Sequence, residues 1–356
     1  MRKLASIQRI IGIEEIEGCD NIVLAQVLGW NVIVKRGEFK VGDLCVYCEI
    51  DSVLPEKEEF EFLRQKHFRI KTMKMKGVYS QGICFPLLVL PAGEYNEDDD
   101  VTEMMGVTKW DPEQDAGPTG SSGSRTFPHH LVPATDETRI QTFGGEFAKM
   151  QEMCDSGERF VATLKVDGSS MTIILQDGMF RVCSHHTEKN PPQENEERVD
   201  QFWKAAIDME LELKIRSIFD GRNIAIQGEL AGPGIQKNRL KLDKLHFFAF
   251  YAFDIDAQKY MEWAEFVTAM NDAGIETVPI ISDNFNLSEY NAKELLVWVD
   301  NLDQINSLRK QFPQGAQFEG VVIARANNVY EINRKGDNPH GRFSVKVVSN
   351  KYLLKE

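Results

Sequence analysis

The chain has 356 residues, 42% hydrophobic and 27% charged, a composition that excludes a disordered or fibrous protein and suits two packed domains rather than one. Its formal charge of −14 argues against a surface coated in nucleic acid, though net charge can conceal a local basic patch. No apolar run is long enough to span a bilayer, and MRKLASIQRI carries charge without the apolar stretch of a signal peptide. Six cysteines in a chain of this length do not form a disulfide scaffold, so a reducing, cytoplasmic setting is expected.

The first hundred residues are rich in strand patterns. Asn21 to Phe39 alternates apolar and polar positions around a turn or bulge at Gly29-Trp30, and Asp43 to Pro55 continues as a further strand. Short strands between turns, with little helical periodicity, predict a small barrel over residues 1–110. Within Arg69 to Gly82, Arg69, Lys71, Lys74 and Lys76 are candidates for nucleic-acid contact. Alternation there is expected to turn Met73 and Met75 to the core and the cations outward. Cys45 and Cys48 have C-x₂-C spacing, but no second Cys/His pair completes a zinc site.

Residues 111–126 form an expected linker, since Asp111 to Ser124 is rich in Gly, Ser and Pro. From 127 to 356 the sequence mixes strands with helices. Strand patterns cover Phe160 to Val166, Ser170 to Gln176, Asn223 to Leu230, Leu245 to Ile255, Gly320 to Arg325 and Phe343 to Val348. Helical patterns cover Glu194 to Ile218, Met261 to Ala273 and Ser288 to Phe312. No regular βαβ repeat links them, so the fold class is α+β.

The chemistry centres on Lys165 in LKVDGSS. A strand delivers this lysine to a turn at Gly168, and a lysine becomes a nucleophile only by losing its proton. Its reference pKa of about 10.4 is therefore expected to fall. Four further patterns supply what nucleotidyl transfer needs: Glu229 in QGEL, Phe253-Asp254 in YAFDI, Glu319 in QFEG and Lys346 in FSVKVV. They amount to carboxylates for a metal, an aromatic for a base and a cation for phosphate charge.

In this order the five elements resemble motifs I, III, IIIa, IV and V of the covalent nucleotidyltransferases. With the barrel placed first, and with Gly29 to Asp43, Glu49 to Pro55, Pro133 to Gln141 and Gly228 to Asn238, nearly the whole chain resembles the Deinococcus-type RNA ligases. The resemblance implies an N-terminal OB-like barrel and a nucleotidyltransferase domain of ATP-grasp-like antiparallel sheets with helices. It also implies an ATP-dependent RNA ligase using Mg²⁺, or Mn²⁺ in its place. Such an enzyme acts as a monomer on nicked duplex RNA or an RNA/DNA hybrid, away from membranes.

By position, the resemblance makes Lys165 the adenylylated nucleophile, with Asp167 and Gly168 as its motif partners. Glu229 and Glu319 would serve the metal, Phe253 would stack on adenine beside Asp254, and Lys346 would neutralise the α-phosphate. Thr135, Asp136, Glu137, Arg139 and Gln141 would help form the nucleotide pocket. Three positions depart from the pattern. Leu164 stands where a glutamate is common, His185 where an arginine meets phosphate, and Val348 where a second lysine is common, with Lys351 the nearest substitute. Rival readings are a DNA ligase, an mRNA capping guanylyltransferase and a catalytically weakened nucleic-acid-binding homologue.

Overall fold

A computed structural model describes residues 3–110, 125–133, 135–143, 146–193, 199–327 and 343–355. The Gly/Ser-rich stretch Asp111 to Ser124, and residues 194–198 of the expected helix, lie outside the described residues. The chain divides into two compact units. One takes Met1–Thr119, Thr138–Phe147 and Asn350–Glu356; the other takes Gly120–Glu137 and Ala148–Ser349.

The first unit is built on an antiparallel sheet of β1 (Ala5–Glu15), β2 (Ile22–Val27), β3 (Trp30–Lys35), β4 (Leu44–Cys48) and β7 (Ile83–Phe85), in the order β3-β2-β1-β4-β7. Two hydrogen bonds bring its ends together, Ile33 N to Ser80 Oγ and Gln81 N to Asn31 O, so the sheet is a nearly closed OB-like barrel. Ile7, Ile10, Val23, Ala25, Trp30, Val32 and Val46 fill its interior. The β2–β3 turn at Leu28-Gly29 needs its glycine, because a Cβ there would stand 2.9 Å from Gln141 Cα. Cys45 and Cys48 are buried thiols, and burial raises the pKa of Cys48 far above that of a free thiol.

Strands β5 (Met73–Met75) and β6 (Val78–Ser80) form a separate two-stranded ribbon. Here one expectation is corrected. Met73 and Met75 are 37% and 44% exposed instead of facing a core. Arg69 also departs from expectation. Its side chain is only 6% exposed, pairs with Asp51 at 2.9 Å and lies over the Trp110 ring, so it braces the unit and offers no cation to solvent.

In the second unit a seven-stranded antiparallel sheet runs Arg125–Thr126, β11 (Thr187–Lys189), β10 (Met179–Cys183), β9 (Ser169–Gln176), β12 (Ile224–Ala231), β13 (His246–Asp254) and β14 (Lys259–Tyr260). Period-2 alternation gives it two apolar faces. Met171, Ile173, Ile224 and Ile226 pack under α1 (Gln201–Asp208), α2 (Leu211–Phe219) and α3 (Trp263–Ala273). Ile174, Ala225 and Phe253 pack with Phe127 and Val132 on the other face. A second antiparallel sheet contains β17 (Ser344–Val348), β16 (Gly320–Arg325), β8 (Phe160–Lys165) and β15 (Ile280–Ser282), in that order.

Two long helical expectations break into pieces. α1 and α2 are separated at Glu210, which adopts a left-handed conformation with φ 55°. The pattern from Ser288 to Phe312 becomes α4 (Ala292–Val299) and α5 (Asn306–Gln311) with 3₁₀ turns between and before them. Asn286 and Asn291 each accept a hydrogen bond from a backbone N–H ahead of them, and Glu294 completes a capping box with Asn291. Local side-chain bonds thus start new turns where apolar spacing alone reads as one helix. Among the described residues no helix is long and apolar enough to cross a membrane.

Candidate active site

Lys165 is the last residue of β8 and pairs across the sheet with Gly320, the first of β16. That register puts Glu319 beside it, and Lys165 Nζ lies 2.7 Å from Glu319 Oε2. On the seven-stranded sheet, β12 holds Glu229 opposite Ser170. Lys346, on β17, is paired with Val322 and adds its charge near Glu319. Gly168 lies at a bend between the two sheets, as the sequence suggests, and the glycine serves a second purpose there. A Cβ there would come 2.3 Å from the Leu230 carbonyl oxygen, so the absence of a side chain admits a close backbone approach. Gly168→Ala is accordingly expected to cost about 1–3 kcal/mol of stability and displace Lys165 from its partners. A thermal melt together with a nucleotide-labelling assay checks this.

The electrostatics correct the expected fall in the Lys165 pKa. Burial pulls it down, but the charges of Glu319, Glu229 and Asp167 outweigh burial and raise it. The same burial raises Glu319 against the pull of Lys165, and it pushes Glu229 up to about 8. Near neutral pH the centre is thus a protonated lysine held by carboxylates, one of which keeps its proton. Two carboxylates made reluctant to ionise by burial suit a hard divalent cation that takes its remaining ligands from water and phosphate. Among the described residues no cluster of three or more His, Cys, Asp or Glu side chains could enclose a metal by itself.

Above Lys165 opens a cleft of about 720 Å³, its open mouth included, which is ample for a nucleotide. Leu164, Lys165, Glu137, His185, Glu229 and Lys346 line it as expected, with Thr135 and Asp136. The aromatic wall is corrected. A bulge in β13 opposite Gln227/Gly228 shifts the alternation, so Phe250 and Tyr251 line the cleft. Phe253 shares the face of Tyr251 but is fully buried against Tyr260. The aromatic run His246 to Phe253 signals that some ring faces the site, but a bulge leaves no mark by which to choose it. Asp254 instead closes a turn. Burial opposes its charge, yet the Ala257 N–H and the Arg222 guanidinium hold its pKa below the usual carboxylate range.

Three other expected pocket residues do not line the cleft. Arg139 is buried in the N-terminal unit, 2.7 Å from Asp51, where one carboxylate bridges Arg139 and Arg69. Gln141 is buried in that unit too, its carbonyl accepting from Gly29 N, and Lys351 also belongs to that unit. Arg139 and Gln141 are held within the barrel unit, which sequence proximity to pocket residues does not reveal.

A family model described as an OB-fold domain matches residues 4–87, and one described as RNA ligase matches residues 158–348. No curated protein sequence matches. Solved structures of Naegleria gruberi RNA ligase are similar along the whole chain. A variant with AMP and Mn is 29% identical with a TM-score of 0.79, covering 100% of this chain and 99% of that one. The structure with PPi is 30% identical with a TM-score of 0.80 and the same coverage. A second variant, with ATP and Mn, is 29% identical at a TM-score of 0.79, again covering 100% and 99%.

Proposed function

This chain belongs to the RNA ligase family, and we propose that it seals a 3′-hydroxyl to a 5′-phosphate at RNA nicks by way of an AMP carried on Lys165. The observation that carries the reading is the Lys165–Glu319 contact at the floor of a nucleotide-sized cleft that Glu229 and Lys346 also line. ATP and a divalent cation are the cofactors. Lys165 Nζ gives up a proton and its lone pair forms a P–N bond to the α-phosphorus, as the P–O bond to pyrophosphate breaks. A 5′-phosphate oxygen then displaces the lysine and takes the AMP. The 3′-hydroxyl finally attacks that 5′-phosphorus and releases AMP.

Glu229 and Glu319 would hold the cation, which supplies Lewis-acid stabilisation of phosphate charge and lowers the cost of ionising both carboxylates. Lys346 lies where it can meet the α-phosphate, and His185 can add a proton-dependent contact. Phe250 is the aromatic available to stack on the base. Phe250→Ala is expected to raise the ATP concentration needed for half-maximal labelling about tenfold, at the low end of a lost base–aromatic stack. A titration of labelling against ATP measures it.

The nucleic-acid partner is a nicked RNA duplex or RNA/DNA hybrid, engaged in part by the barrel unit. Between Glu61 and Glu94 the sequence has no acidic residue, while Lys71, Lys74 and Lys76 fall within that stretch. Lys74 and Lys76 are exposed on the β5–β6 ribbon. Replacing both by alanine should make the salt dependence of RNA binding shallower by about 1–2 phosphate equivalents and leave ATP labelling unchanged. Binding isotherms at several salt concentrations decide it. One chain is the working unit, and the six free cysteines suit a reducing intracellular setting.

The direct test incubates the protein with α-labelled ATP or GTP and a divalent cation, then adds nicked RNA. Covalent label from ATP that passes to the RNA is expected. Label from GTP alone would favour a capping activity, and no label from either would sink the enzyme reading.

A further inference from the structure

Glu137 spans the cleft in a way that the roles of its neighbours do not account for. Its Oε1 accepts a hydrogen bond from Tyr251 Oη at 2.9 Å, and its Oε2 accepts one from Ser344 Oγ. Tyr251 belongs to β13 of the seven-stranded sheet. Ser344 opens β17 of the other sheet, two positions before Lys346. Nearby, Gln227 Nε2 donates to Pro133 O at 2.9 Å and pins the start of the same segment onto β12. A single carboxylate therefore ties together the strand carrying the aromatic wall and the strand carrying the phosphate-facing lysine.

We propose that Glu137 is a positioning residue, a brace that, through Tyr251, fixes the strand carrying the nucleobase wall at Phe250 relative to the cation at Lys346. A nucleoside triphosphate needs its base and its α-phosphate held at once, and these two contacts come from different sheets. A carboxylate fits the task because both of its oxygens accept and both partners are hydroxyls. Glutamine serves as well, since its oxygen accepts from Tyr251 while its amide N–H donates to the Ser344 hydroxyl. The brace asks of Glu137 these two contacts and their geometry, which separates it from a direct ligand of the nucleotide or the cation. The inference rests on reading the cleft as the ATP pocket.

The test measures the apparent KM for ATP and the maximal rate of covalent labelling. Glu137→Ala is expected to raise KM about tenfold with the maximal rate within about threefold, and Glu137→Gln to stay close to the unmodified protein. Tyr251→Phe and Ser344→Ala should each raise KM by less, and neither should add to Glu137→Ala, because each removes the same brace. Glutamine as damaging as alanine would overturn the proposal. So would alanine without effect, or Tyr251→Phe and Ser344→Ala losses that add in full to each other and to those of Glu137→Ala. Should Glu137→Ala melt early, the Tyr251→Phe/Ser344→Ala double-mutant cycle still decides the matter, since a shared brace makes their effects on KM interact. If the unmodified protein takes no label from ATP, the pocket assignment has failed, and not the brace.

Discussion

Lys165→Arg is expected to fold normally and take up no covalent AMP, with labelling reduced at least roughly 10³-fold. Arginine preserves the positive charge that faces Glu319, Glu229 and Asp167, so the buried carboxylates keep their counter-ion. What arginine cannot do is shed a proton, because its pKa lies above about 12. The variant therefore separates two duties of Lys165, pairing with Glu319 at 2.7 Å and attacking phosphorus. Alanine confounds them, since it also strands buried carboxylates without a partner. A thermal melt close to that of the unmodified protein beside an unlabelled band is the expected pair of results. Labelling above a few per cent would move the nucleophile elsewhere.

Glu229→Gln should abolish sealing and yet stabilise the metal-free protein at alkaline pH. The pKa of Glu229 is raised from 4.5 to about 8 by burial, so the folded state holds a proton that the unfolded state releases. Between pH 4.5 and 8 the folded form binds more protons, and stability falls as pH rises through that window. Above it the full penalty applies, on the order of 1–3 kcal/mol once residual solvent contact is allowed for. Glutamine carries no such charge. Melting curves from pH 5 to pH 9 without divalent cation should converge at low pH and separate at high pH, with Glu229→Gln the more stable. Curves that run parallel would contradict the buried-carboxylate account. Added Mg²⁺ or Mn²⁺ should stabilise the unmodified protein more than the variant.

Much of the centre was legible because the functional residues sit on or beside strands with clear apolar patterns. Lys165 and Glu319 become neighbours through an antiparallel register of β8 and β16, and both strands stand out as apolar runs. Glu229 and Lys346 likewise lie on strands with strong alternation. Phe253 was placed by the resemblance alone; it shares the face of Tyr251 but is covered by Tyr260, while the bulge at Phe250 leaves Phe250 and Tyr251 on the cleft. Arg69 reads as a nucleic-acid contact and Arg139 as a pocket residue, yet both converge on Asp51, a pairing across the barrel unit that spacing cannot encode. The lysine pKa went the wrong way for a related reason: three carboxylates from separate segments gather around Lys165. The first long helical pattern broke at Glu210, whose left-handed conformation apolar spacing does not reveal, and in the second the side-chain caps of Asn286 and Asn291 start separate turns.

The strand order also bears on how the protein is made. Lys165 and Glu319 are separated by 154 residues, and Lys346 follows on the last strand. A ribosome adding about 5–20 residues per second completes the β8 strand many seconds before its β16 and β17 partners emerge. Until then the nucleophile has neither the carboxylate nor the second cation that gives it work to do. A chain released early, short of β17, is a blank rather than a half-controlled enzyme that could trap AMP. Pairing over such distances is slow to form, and here that slowness delays the chemistry until β17 has been made.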